Sequence, residues 1–107
     1  MDFETNKEGE VIVLTPKIER LNAVNSQEFK DSVFKVIEDR CDGVVLNLEH
    51  IEFIDSSGIG ALVSMLKELE REKKHFSVCG VNNGVKNLFK LTGLEKVLKI
   101  TDSKKGS

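Results

Sequence analysis

Three short runs rich in β-branched and aliphatic residues, EVIVLT at 10–15, VVLNLE at 44–49 and HFSVCGV at 75–81, are separated by segments whose apolar residues recur at helical spacing. No other feature constrains the fold as tightly. Runs of that length suit strands, and their near-continuous apolar character suits a sheet covered on at least part of both faces. Strands alternating with helices imply right-handed crossovers and hence a mainly parallel sheet. Ahead of the first run, DFET alternates Phe3 and Thr5 with charge and NKEGE supplies a turn at Gly9, which predicts an edge strand and a hairpin. KVLKIT near the end predicts a last short strand.

The intervening segments read as helices. In 26–41, Phe29, Val33, Val36, Ile37 and Cys41 fall on one face. Asn25 and Glu28 have capping-box spacing, Val24 is placed to staple onto Phe29, and Gly43 suits a left-handed stop. In 57–74, Ile59, Leu62, Val63, Leu66 and Leu69 repeat the pattern. In 83–92, Asn83 is the expected cap, Val85, Leu88 and Phe89 line one face, and Gly93 ends the helix with Leu94 placed to touch Phe89. The expectation is one α/β domain over residues 1–102, with a mixed, mainly parallel sheet of 4–5 strands and 3–4 helices, followed by a disordered polar tail over 103–107.

Composition removes several function classes. A chain of 107 residues is one domain by length. With 16 basic against 18 acidic residues there is no positive excess to condense onto phosphates, so nucleic acid is not an expected partner. No apolar run reaches membrane-spanning length, and the start MDFETNKEGE is polar and acidic where a secretory signal needs a basic start and an apolar stretch. Cys41 and Cys79 fit a reduced, cytoplasmic protein better than a disulfide framework, and Cys79 reads as a buried small hydrophobe. His50 and His75 are the only histidines, and neither has a second ligand at metal-binding spacing, so no metal is expected. SSGIGAL and GVNNGVK lack the third glycine or the lysine-hydroxyl ending of a phosphate-cradling loop, so no cofactor is expected either. Gly58, Gly60 and Ala61 are accounted for by a small first turn that brings a helix close to the sheet. DSSG is not the elbow of a serine hydrolase, so no catalytic residue is assigned and the chain is not expected to be an enzyme.

The stretch FIDSSGIGALVSML, residues 53–66, concentrates what remains. A strand breaks into Asp55-Ser56-Ser57-Gly58 and becomes apolar again at helical spacing. Ser and Asp are among the commonest helix N-caps, and a plain cap is one explanation. Modification is the other. A hydroxyl at a helix N-terminus can carry a phosphate that the unpaired N–H groups and the helix dipole tolerate, and that adds roughly −1.5 to −2 charges. With Glu49, Glu52 and Asp55 close in sequence, that charge deepens an acidic rim and opposes any interface that buries it.

VVLNLEHIEFIDSSGIGALVSML resembles the central motif of the STAS domain, the fold of bacterial anti-sigma factor antagonists. VKNLFKLTGLEKVLKI is similar to that family's C-terminal signature, with Leu88, Phe89, Gly93 and Leu94 at the matching positions, so the resemblance covers nearly the whole chain. It implies a single STAS domain, a transcription regulator that works by partner switching. The partner it implies is an anti-sigma factor kinase of histidine-kinase-like ATP-binding fold, which the unphosphorylated antagonist binds to release a sigma factor. Ser56, directly after the aspartate, is the implied phosphorylation site, and a separate phosphatase resets it. Asp55 is expected to position the serine or cap the helix, Ser57 to serve as cap or second hydroxyl, and Asn22, Asp55, Ser56, Ser57 and Gly58 to form the partner-binding surface. PKIERLNAVNS departs from the family pattern: Asn22 stands where an acidic residue is common, in a loop that usually lies beside the modified serine. The switch is expected to be a monomer or weak dimer. The alternative is a STAS scaffold or small subunit of a larger complex, such as a stress-signalling assembly or a lipid-transport ATPase.

Overall fold

The computed structural model of the chain describes residues 1–37 and 41–101. Both the 103–107 tail and positions 38–40 of the first expected helix lie outside the described residues. The strands are β1 (Phe3–Glu8), β2 (Val11–Pro16), β3 (Arg20–Leu21), β4 (Gly43–Asn47), β5 (Phe53–Ile54), β6 (His75–Cys79) and β7 (Lys99–Ile100). The helices are α1 (Ser26–Val36), α2 (Ser56–Arg71) and α3 (Asn83–Thr92), with a single 3-10 turn over Leu94–Lys96.

The main sheet has five strands in the order β1-β2-β4-β6-β7. β1 and β2 form the expected antiparallel hairpin, turning at Gly9 with φ 65°, and the remaining pairings are parallel. Alternation along the strands sorts their residues between two faces. Ile12, Leu14, Val44, Leu46, Phe76 and Val78 join the buried residues of all three helices in one core. The second face carries a smaller cluster of Val13, Val45 and Cys79 with Val11 against it, and Cys79 is buried as expected. Helices therefore pack on one side, and the continuous apolar strands reflect a second face closed by its own side chains.

Several local expectations are corrected. Helix α1 stops at Val36 because Ile37 is extended (ψ 122°), so Cys41 is not on its face; it is buried ahead of β4, where its carbonyl accepts from Lys74 Nζ at 3.0 Å. Gly43 is not a helix stop but the first residue of β4, where a β-carbon would stand 3.0 Å from the His75 carbonyl oxygen. Asn25 precedes α1 without capping it, because its side chain is spent on the preceding loop. Val24 does not staple onto Phe29: the valine faces solvent while the phenylalanine is fully buried. Asn82, not Asn83, caps α3, accepting from the Val85 N–H at 2.8 Å. Gly93 does take the left-handed conformation expected of it, with φ 76°, and Leu94 joins Phe89 in the core.

β3 and β5 form a second, two-stranded parallel sheet, pairing Arg20 with Phe53 and Leu21 with Ile54. Leu21 and Ile54 are buried, whereas Arg20 and Phe53 face outward. This small sheet carries the segment that enters α2.

Candidate functional site

Asp55 organises the site. Its backbone is extended (φ −99°, ψ −173°), the N-cap geometry, and its Oδ1 accepts from the Gly58 N–H at 3.0 Å. Its second oxygen accepts from the Ala23 N–H at 3.2 Å, and its own N–H donates to the Leu21 carbonyl at 3.1 Å. One carboxylate thus satisfies an orphan donor of α2 and ties the helix to the loop after β3.

The capping question is settled by this geometry: the aspartate is the cap, and Ser57 is not. Ser56 is the first residue of α2 and exposed, and among the described residues its hydroxyl takes part in no hydrogen bond. Ser57 is half-buried and lines a groove between α1 and α2 with Ser26, Lys30 and Ser64. The Ile59 N–H goes to the Asp55 carbonyl. The N–H groups of Ser56 and Ser57 belong to the first turn, where no carbonyl of the same helix precedes them. They are the donors that an added anion would meet.

Gly58 is buried where α2 meets the small sheet. A β-carbon there would lie 2.6 Å from Ile54 Cγ2 and 2.7 Å from the Leu21 carbonyl oxygen. The close approach expected of the first turn is therefore real, but its target is the β3–β5 pair. Ala61 is buried too, but beside the groove between α1 and α2. Gly60 is exposed, and a β-carbon added to it would meet nothing within 4 Å, so its smallness serves no packing contact.

The loop between β3 and α1 is held by its own asparagines. Asn25 Oδ1 accepts from the Asn22 N–H at 2.9 Å, Asn25 Nδ2 donates to the Arg20 carbonyl at 2.8 Å, and Asn22 Oδ1 accepts from the Val24 N–H at 3.0 Å. The structure brings this loop beside Asp55, but the Asn22 side chain is turned to its own loop. On the other side, Asn82 Nδ2 donates to the Ile51 carbonyl at 3.3 Å while its oxygen caps α3, which fixes the approach to β5 from the end of β6.

Glu49 and Glu52 do belong to an acidic surface, and Glu4 and Glu19, distant in sequence, join them around a shallow pocket with Lys17 and His50. Asp55 does not line it. Sequence reasoning also passed over Ala23, whose contribution is a backbone N–H, and Arg20, whose guanidinium lies 5.9 Å from the centre of the Phe53 ring. No side-chain pattern signals a backbone donor, and the Arg20–Phe53 contact needs the register of two strands. Among the described residues no group of His, Cys, Asp and Glu is arranged to hold a metal ion, and no helix is long and apolar enough to cross a membrane.

A family model described as the STAS domain matches residues 2–106. An anti-sigma F factor antagonist of Paenibacillus polymyxa is 34% identical over 64 residues, taking in 60% of this chain and 55% of that relative, so the match spans about half of the relative's length. An anti-sigma-B factor antagonist of Staphylococcus aureus is 27% identical over 82 residues, covering 77% of this chain and 76% of that one. Among solved structures, a Thermotoga maritima protein superposes with TM-score 0.83 at 29% identity, over 94% of this chain and 86% of its own.

Proposed function

This chain belongs to the STAS domain family, and from that premise we propose that it is an anti-sigma factor antagonist switched by phosphorylation of Ser56. The observation that carries the reading is the division of labour at the start of α2: Asp55 makes the cap, and the Ser56 hydroxyl is exposed and, among the described residues, unbonded. The hydroxyl is thus available for chemistry that leaves the cap intact. The names carried by the relatives point to an anti-sigma factor as the protein that meets this surface.

The unphosphorylated chain binds the anti-sigma factor and so frees a sigma factor. The anti-sigma factor is itself a kinase: Ser56 Oγ takes the γ-phosphoryl group of ATP, ADP leaves, and the hydroxyl proton passes to a base of the kinase. The new group brings roughly −1.5 to −2 charges into the middle of the contact. Within the chain the nearby N–H groups of α2 donate to it, so the fold survives. Within the complex its desolvation costs several kcal/mol unless the partner supplies a cation, and the complex opens. A phosphatase then hydrolyses the phosphoserine and restores binding. Asp55 holds Ser56 in place through the cap and the Ala23 link, and Gly58 permits the close seating of α2 that keeps the hydroxyl outward.

The test is a comparison of wild-type, Ser56→Ala and Ser56→Asp chains as baits, with captured proteins identified and Ser56 mapped for phosphate after incubation with the retained partner and Mg-ATP. Retention of an ATP-binding anti-sigma factor by wild type and by Ser56→Ala, its loss by Ser56→Asp, and phosphate on Ser56 support the reading. Retention of one set of large-assembly subunits by all three baits refutes it in favour of a structural subunit.

A further inference from the structure

We infer that Val24 and Phe53, both neighbours of Asp55, are the two apolar anchors by which this chain grips its anti-sigma factor; the inference rests on the reading of Ser56 given above. Among the described residues the large hydrophobic side chains left exposed are Val24 (93%), Phe53 (50%), Leu91 (84%) and Val97 (62%). Two of them flank Asp55. Val24 follows Ala23, whose N–H is bonded to the Asp55 carboxylate. Phe53 precedes Asp55 by two residues in extended chain, so strand alternation places both on the outer side of the small sheet while Ile54 points inward.

Both side chains are held ready. The loop carrying Val24 is closed by the Asn22 and Asn25 side chains and by Asp55, with hydrogen bonds of 2.8–3.2 Å. Phe53 has the Arg20 guanidinium beside its ring and an open apolar slot next to it, lined by Ile54, Gly84, Val85 and Leu88. An apolar group presented on a braced loop loses little conformational freedom on docking, which is where much binding free energy is otherwise lost.

The occupant follows from the chemistry at Ser56. Phosphoryl transfer needs a kinase surface seated on that hydroxyl, and a protein–protein contact of ordinary size covers roughly 800 Å² on each side. A footprint of that size centred on Ser56 takes in its neighbours at Ala23–Val24 and at Phe53. The capping aspartate has both carboxylate oxygens engaged already, so it adds little from which affinity can come. Interfaces draw most of theirs from a few buried apolar or aromatic anchors. Val24 and Phe53 therefore supply the grip in the unphosphorylated state, and the phosphate on Ser56, next to Asp55, releases it. The partner must present two apolar pockets beside its ATP site. Val97 serves as a control: it lines a different groove, with Leu66, Glu70, Lys74 and His75. Glu70, in the same groove, lies fourteen residues along α2 from Ser56, roughly 21 Å at the helical rise.

The experiment titrates the purified anti-sigma factor kinase encoded in the chain's own genome, with Mg-ADP, against wild-type, Val24→Ser, Phe53→Ser, Val97→Ser and Ser56→Asp chains, with melting temperatures recorded for each. Val24→Ser and Phe53→Ser are each expected to weaken binding by about ten-fold or more, and Val97→Ser by less than about two-fold. The exposure of Val24 makes its variant safe for folding, so a loss there reports on the contact. Binding of Val24→Ser and Phe53→Ser within about two-fold of wild type, with Ser56→Asp still defective, overturns the anchors and leaves the switch standing. Equal losses in all three serine variants, Val97→Ser included, also overturn them. Absence of wild-type binding, together with absence of phosphate on Ser56 after a parallel incubation of wild type with the same kinase and Mg-ATP, refutes the switch and the anchors alike.

Discussion

Gly58 lies so close to Leu21 that a β-carbon on the glycine would stand 2.7 Å from the leucine carbonyl oxygen. That oxygen is already engaged by the Asp55 N–H at 3.1 Å, so the backbone there has no room to retreat. The first turn of α2 is thereby locked onto the small β3–β5 sheet, while Ser56, two residues earlier, stays exposed.

Gly58→Ala is expected to destabilise the chain by about 2 kcal/mol or more, the usual cost of overpacking a tight site. Gly60→Ala, two residues on and open to solvent, should instead gain up to about 1 kcal/mol from helix propensity. Urea unfolding of the two variants checks the contrast, and equal effects would remove the close approach as the reason for Gly58.

Asp55→Ala removes the acceptor of both Gly58 and Ala23 N–H groups. Loss of the cap alone costs about 1 kcal/mol, and loosening of the loop should add to it. Thermal or chemical unfolding measures the cost, and hydrogen exchange at Ala23 should accelerate. An unchanged exchange rate at Ala23 would argue against the link between the helix and the loop.

Ser56→Ala is expected to leave stability within about 0.5 kcal/mol of wild type, because the exposed serine makes no cap of its own and Asp55 keeps it. A capping serine would lose about 1 kcal/mol. The same variant should hold its partner constitutively, whereas Ser56→Asp weakens binding at least ten-fold, about 1.4 kcal/mol. Calorimetric titration against the anti-sigma factor distinguishes these outcomes, and indifference of binding to both substitutions would take Ser56 out of the mechanism.

Asn82 performs two tasks that can be separated. Asn82→Asp keeps an oxygen for the Val85 N–H and adds a favourable charge at the start of α3, but it loses the donor to the Ile51 carbonyl. Asn82→Ala loses both, and should cost about 1 kcal/mol more than the aspartate variant. Paired denaturation curves test this; coincident curves would mean that the cap contributes nothing.

Much of the fold was legible from periodicity. The three apolar runs, the hairpin at Gly9, the buried stripe of Leu62, Leu66 and Leu69 on α2 and the left-handed Gly93 all depend on side chains and glycine within one element, and a sequence displays those directly. Capping was harder. Asn25 with Glu28, and Asn83 beside Asn82, present the right residue types, yet which asparagine caps is decided by backbone angles at that residue and by what else its side chain can reach.

By itself the sequence determined an α/β order of elements and placed Asp-Ser-Ser-Gly at the head of a helix, because hydrophobic period and turn chemistry are local. Only the tertiary structure decided which of those residues does what. The two-residue strands β3 and β5 are too short to carry a period, and they exist because Leu21 and Ile54 find each other across the chain. Their pairing brings Ala23 within reach of Asp55, 32 residues away, and makes the aspartate the cap that leaves Ser56 exposed. A hydrogen bond between a backbone N–H and a distant carboxylate has no signature in residue order, because any residue but proline can donate it.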